Sequence, residues 1–157
     1  MKFRLPLIAG AVSLLVSLSL VAGASAATKA HAAKAKHKCT LVATNQTSGK
    51  ATGYDFATQK CSGPYGAGLS IITYTEALKG TTGFTDIGGF KSYFNRGTIH
   101  GTYSLSGTLP TSGSSVTATG PIKITGGTGA FAGIKAKGTQ TCTSNDGGSH
   151  YTCVAKF

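Results

Sequence analysis

At 157 residues the chain has the length of one domain. Its 15 Lys and Arg against 4 Asp and Glu give a net charge of +11, yet charged residues make up only 12% of the total, where about 25% is usual; the chain is basic because acids are scarce. Glu76 is the sole glutamate and 23 residues are Gly, which excludes a helical bundle built on Ala, Leu, Glu and Lys at a 3.6-residue period and predicts short strands with many turns.

The chain opens as an export leader. Lys2 and Arg4 form a positive start, Leu5 to Val21 is apolar apart from small residues, and Ala24-Ser25-Ala26 is a small-residue cleavage pattern. The expectation is a signal peptide over 1–26, cleaved after Ala26, and a secreted product. The apolar core is shorter than the ~20 residues a membrane span needs, and no later segment is apolar enough for one. Residues 27–38 follow as a flexible tail holding Lys29, Lys34, Lys36, Lys38, His31 and His37 and no acid. Such a tail suits either a solvated spacer or an arm that binds anionic cell-wall polymers. Of the net +11, two charges leave with the leader and four belong to the tail, so residues 39–157 carry only +5.

Those residues are expected to form a single domain, and Cys39, Cys61, Cys142 and Cys153 all fall in it. In an oxidising compartment two disulfides follow. Spacing leaves the three possible pairings open, but strand register prefers one. Cys39 to Gln46 and Tyr54 to Cys61 flank the turn-rich Ser48-Gly49-Lys50; as a hairpin they place Cys39 opposite Cys61 and Asn45 opposite Asp55. The turn Asn145-Asp146-Gly147-Gly148 places Cys142 opposite Cys153 and Gln140 opposite Ala155. Opposed Cβ atoms in an antiparallel pair come close enough to bridge. With no C-x-x-C pair and no His at ligand spacing, no metal or cofactor is implied.

Between the hairpins, strands are predicted near Leu69 to Ala77, Lys91 to Phe94, Gly97 to Leu109, Ser115 to Thr125 and Ile134 to Cys142. In the central one Ile99, Gly101, Tyr103, Leu105, Gly107 and Leu109 alternate with Thr98, His100, Thr102, Ser104, Ser106 and Thr108. One face is apolar and the other is short and polar, the pattern of a sheet buried on one side. Glycines on the apolar face suggest sharp bending or close packing. No segment has a long helical period, so the sheet must cover its own apolar face. The fold class is therefore all-β, a small antiparallel barrel of about eight strands, with a sandwich as the alternative.

Ile124-Thr125-Gly126-Gly127-Thr128-Gly129-Ala130-Phe131-Ala132-Gly133 is the most distinctive run. It lacks both the P-loop ending and the G-x-G-x-x-G spacing, so it is not a phosphate cradle. It resembles the late strand-turn-strand signature of the allene oxide cyclase and dirigent-like β-barrel group, and Gly97-Thr98-Ile99-His100-Gly101 resembles a strand opening of such barrels. The resemblance covers about residues 65–143. It implies an eight-stranded barrel holding a mostly apolar small molecule, in some members a reactive one that the protein orients. Gly126, Gly127 and Gly129 read as positions of permitted positive φ, Thr128 as part of the same motif, and Phe131 as a plug for one barrel end.

Candidates for lining a ligand cavity are Tyr74 and Glu76, on one strand face with Ser70 and Ile72, together with His100 and Tyr103. A Glu in a barrel mouth has the environment to act as acid or base; a solvated Glu76, a surface His100 and a core Tyr103 are the plainer alternatives. G-x-S-x-G is absent, which leaves nucleophilic serine chemistry unsupported. Nucleic-acid recognition needs basic and aromatic residues on one surface, and the sequence offers only a basic excess. The functional expectation is a secreted, disulfide-stabilised barrel binding a small apolar or amphipathic molecule. The alternatives are an isomerase of the allene oxide cyclase kind and an envelope protein held to polyanions through the tail lysines.

Overall fold

The computed structural model describes residues 36–47 and 50–157. The expected leader and most of the expected tail, Lys29 and Lys34 included, lie outside the described residues. Eight strands follow one another: β1 Lys38–Asn45, β2 Thr52–Cys61, β3 Gly66–Lys79, β4 Gly83–Phe94, β5 Gly97–Thr108, β6 Val116–Gly127, β7 Ala136–Ser144 and β8 His150–Lys156. Each pairs antiparallel with the next, and β1 pairs with β8 to close the barrel. Closure leaves no free sheet edge, which a sandwich of the same strands would have to protect. Among the described residues no helix is long and apolar enough to cross a membrane.

Alternation decides what each strand buries. Cys39, Leu41 and Ala43 of β1, Ile99, Tyr103 and Leu105 of β5, and Cys153 and Ala155 of β8 point inward and are buried. Their neighbours, mostly Thr, Ser and Lys, face outward. The two terminal hairpins have the register that opposes Cys39 to Cys61 and Cys142 to Cys153, and both pairs are bonded. Each disulfide crosses two adjacent strands on the barrel's inner side.

The strands depart from the sequence reading in four places. β4 begins at Gly83, not Lys91, because Asp86 and Gly88-Gly89 look like a turn but are strand residues paired on both sides. Ile134 precedes β7 instead of starting it, and packs against the core from the turn. The barrel begins before Cys39: Lys38 pairs with Lys156, and His37 exchanges backbone hydrogen bonds with Phe157. The last two residues of the expected tail therefore belong to the closing ladder. Finally, of Gly126, Gly127 and Gly129 only Gly129 has positive φ, at 61°. Gly126 and Gly127 are extended residues of β6, just past a bulge in which Thr125 is the extra residue between the His100–Gly126 and Gly101–Ile124 pairs. Gly127 is needed for space, since a Cβ there would stand 2.5 Å from the carbonyl oxygen of Thr98.

One end of the barrel is sealed by rings. The short 3-10 turn Gly129–Phe131 after β6 drops Phe131 into the opening, where it stacks on Tyr65 at 5.4 Å and meets Phe94 edge-on at 5.5 Å. Thr128 ties this turn to β5 through its hydroxyl, 2.8 Å from that of Thr98. Phe157 and His37 complete the ring cluster around Tyr65.

Candidate functional site

The other end is open. Above the middle of the barrel lies a cavity of about 460 Å³, a volume suited to a small organic ligand. Below it the interior narrows to a pocket of about 30 Å³, roughly the space of one water molecule. The cavity is thus a cup, with a solid base and a mouth framed by the turns that join β1 to β2, β3 to β4, β5 to β6 and β7 to β8.

Two kinds of side chain line the cup. Ile72, Phe84, Leu105, Leu109, Val116 and Ala118 supply an apolar surface, while Asp55, Glu76, Asp86, Tyr74, Tyr103 and Tyr151 supply polar groups. Their placement follows from parity. Asp55 is inward because Cys61, six residues on in β2, is inward; Asp86 shares its face with Phe84 and Phe94 of β4; Tyr151 stands two residues before Cys153 in β8.

The phenols hold the carboxylates. Tyr151 donates to Asp55 Oδ2, and Tyr103 donates to Asp86 Oδ1 at 3.2 Å, with the carbonyl of Thr73 also in reach at 3.3 Å. The Tyr74 hydroxyl lies 2.8 Å from Thr47 Oγ1 and accepts from Asn45 Nδ2 at 3.3 Å. Gly88 makes the Tyr103 contact possible, since a Cβ there would approach the phenol oxygen to 2.8 Å and the Thr73 carbonyl to 1.9 Å.

Burial sets the proton affinities. It raises the Asp86 carboxyl to about 6, against the lowering effect of the Tyr103 hydrogen bond and with further upward push from the negative charges of Glu76 and Asp55. It raises Asp55 too, against the Tyr151 hydroxyl and the Gln46 amide. Burial, then the neighbouring carboxylates, push Tyr103 and Tyr151 well above the usual phenol range, so both remain neutral donors. Asp55 is only 3% exposed, and its Oδ1 has no hydrogen-bond partner among the described residues.

Of the residues singled out from sequence, Tyr74, Glu76 and Tyr103 line the cup. Tyr74 and Tyr103 are buried, whereas Glu76 is inward-facing but exposed at the rim. His100 is not in it: the alternation that points Ile99 and Gly101 inward points His100 out, beside Gly126. Sequence reasoning missed Asp55, Asp86 and Tyr151. Asp55 and Tyr151 were legible by counting in twos from the bridged cysteines, and Asp86 by the same count back from Phe94. The fourth acid, Asp146, lies in the turn between β7 and β8. The amide and ring of His150 and the Ser144 hydroxyl hold it down at about 2, which makes it a turn-forming group.

Among the described residues no three acid, His or Cys groups converge closely enough to hold a metal ion. Lys36 precedes β1 and Lys38 opens it, at the sealed end and away from the cup. The comparisons with known proteins return no matching family model, no matching curated protein and no matching solved structure.

Proposed function

We propose that this protein is an exported carrier or receptor barrel that takes one small amphipathic molecule into its open end. The observation that carries the reading is the cup itself: one mouth, and a lining in which apolar side chains alternate with polar ones, among them the hydrogen-bonded Tyr103–Asp86 and Tyr151–Asp55 pairs. Burying those polar groups costs free energy, and folding alone would be better served by apolar residues there. The two disulfides and the leader-like start support an oxidising, extracytoplasmic location.

Filling the cup tests this directly. Ala118 is buried in the lining of the cup, and Ala118→Trp projects an indole into open space. An apolar fluorescent probe is expected to bind the wild type with micromolar affinity and the variant at least tenfold more weakly, with the far-ultraviolet spectrum unchanged. Equal binding to both proteins would show that the cup is not the site.

A second reading has its own observation. Asp86, held near 6 beside the neutral donor Tyr103, is equipped to pass a proton at ambient pH. That pairing supports an isomerase of the allene oxide cyclase kind, in which a labile epoxide is held in one conformation while it rearranges. The single-ring product from a fatty-acid allylic epoxide should then fall at least 100-fold in Asp86→Asn and in Tyr103→Phe. A product yield equal to spontaneous decay in the wild type would remove this reading and leave the carrier.

A further inference from the structure

Three of the chain's four acids, Asp55, Glu76 and Asp86, line the cup. The chain has 15 Lys and Arg, yet the only ion pair among the described residues is His150 with Asp146. Lys50 also lines the cavity, but among the described residues no lysine or arginine pairs with the three cavity acids. Glu76 and Asp86 are direct cross-strand partners on the inner side of β3 and β4, and like charges in that position repel.

Asp55 adds an independent observation from another strand. It is more than nine-tenths buried, it lines the cavity, and its Oδ1 has no hydrogen-bond partner among the described residues. A buried acceptor left unmatched is costly, and the group that relieves it best is a charged N–H donor. Tyr103 and Tyr151 have already committed their hydroxyl protons to Asp86 and Asp55, so they do not compete for the ligand as donors. Their rings, with Tyr74 and Phe84, line the same cavity and favour a cation near them. A metal ion fits poorly, since it needs oxygens converging within about 2.0–2.6 Å and no such triad occurs among the described residues. An ammonium with several N–H groups on an extended body can reach carboxylates that are spread around a cavity.

We propose that the ligand is an amphipathic primary amine, its ammonium between Asp55 and the Glu76–Asp86 pair and its hydrocarbon body against Ile72, Phe84 and Leu105. The proposal rests on the carrier reading above and names the chemistry of its ligand. The protein's positive charge would by itself favour anions, so a preference for an ammonium reports the cavity and not the surface.

The test is a matched series titrated calorimetrically into the full barrel at pH 7.5: decylammonium, decanol and decanoate. Decylammonium is expected to bind at least tenfold more tightly than decanol, with decanoate weakest. In Asp55→Asn, Asp86→Asn and Glu76→Gln the ratio of ammonium to alcohol affinity should shrink to threefold or less, with the far-ultraviolet spectrum unchanged as the check that the barrel is folded. Glu76 is at an exposed position, so Glu76→Gln remains decisive should Asp55→Asn fail to fold. Equal affinity for ammonium and alcohol, a preference for decanoate, or an unchanged ammonium advantage in Glu76→Gln and Asp86→Asn overturns the amine assignment and leaves the carrier reading standing. No binding of any of the three to the wild type overturns both.

Discussion

Asp86 makes the cup pH-sensitive on its own account. Its carboxyl is raised from 3.8 to about 6 by burial, so between those values the folded protein holds a proton that the unfolded chain releases. The contribution of Asp86 to folding stability is then fully present below about pH 4 and is lost as pH rises through 6. A shift of this size corresponds to roughly 3 kcal/mol. Glu76 and Tyr74 from β3, Tyr103 from β5, Asp55 from β2 and Tyr151 from β8 all border the same space. Asp55, raised by burial as well, works in the same direction. Asp86→Asn keeps an acceptor for Tyr103 and removes the charge. Thermal melts from pH 4 to 8 should show a flatter profile for this variant and a higher melting temperature at pH 7.5. A variant that melts below the wild type at pH 7.5 would refute the assignment.

At the scale of the strands, β4 is the informative one. Its adjacent glycines have opposite roles that only the register distinguishes. At Gly88, facing in, an added methyl would stand 1.9 Å from the Thr73 carbonyl; at Gly89, facing out, the nearest atoms are 3.5 Å away. Gly88→Ala is therefore expected to cost about 2–3 kcal/mol, the usual scale for forcing atoms into an occupied site. Gly89→Ala should stay within about 0.5 kcal/mol of the wild type. Urea denaturation of the pair measures both, and equal costs would mean that the two positions do not differ in facing. The terminal hairpins, by contrast, were readable in advance. A cysteine at each strand position that meets across the ladder fixes both the bond and the register, because a slip of one residue would send one sulfur inside and the other outside.

For the whole molecule, the asymmetry between the two ends matters most. Phe131 is 4% exposed and holds the sealed end with Tyr65 and Phe94. Phe131→Ala should lower stability by about 3–5 kcal/mol, measured by urea denaturation. Because the base of the cup lies between this plug and the cavity, probe affinity at the open end should change less than twofold. A large loss of binding in a folded Phe131→Ala protein would mean that the two ends are not separate. The charge distribution has the same polarity. All four acids lie toward the open end, in the cup or in the turn between β7 and β8; three acids and one lysine, Lys50, line the cup, so its lining is acidic although residues 39–157 carry +5.

Alternation and turn chemistry are local, and they pointed to an all-β barrel ahead of a sandwich, to the terminal hairpins and to the inward face of β5. The sequence also showed that acids were few, but as an isolated count that scarcity explained only the basic net charge. Closing β1 onto β8 is what brings Asp55, Asp86, Tyr103 and Tyr151, from four strands of a closed sheet, around one cavity. Parity along a strand can be counted from the chain, whereas which strands face one another across an interior, and whether the space between them is filled, depends on how tightly the sheet coils. That curvature is set by contacts between residues far apart in sequence, such as Gly88 beneath the Tyr103 phenol, and so only the tertiary structure decided that this barrel is packed at one end and open at the other.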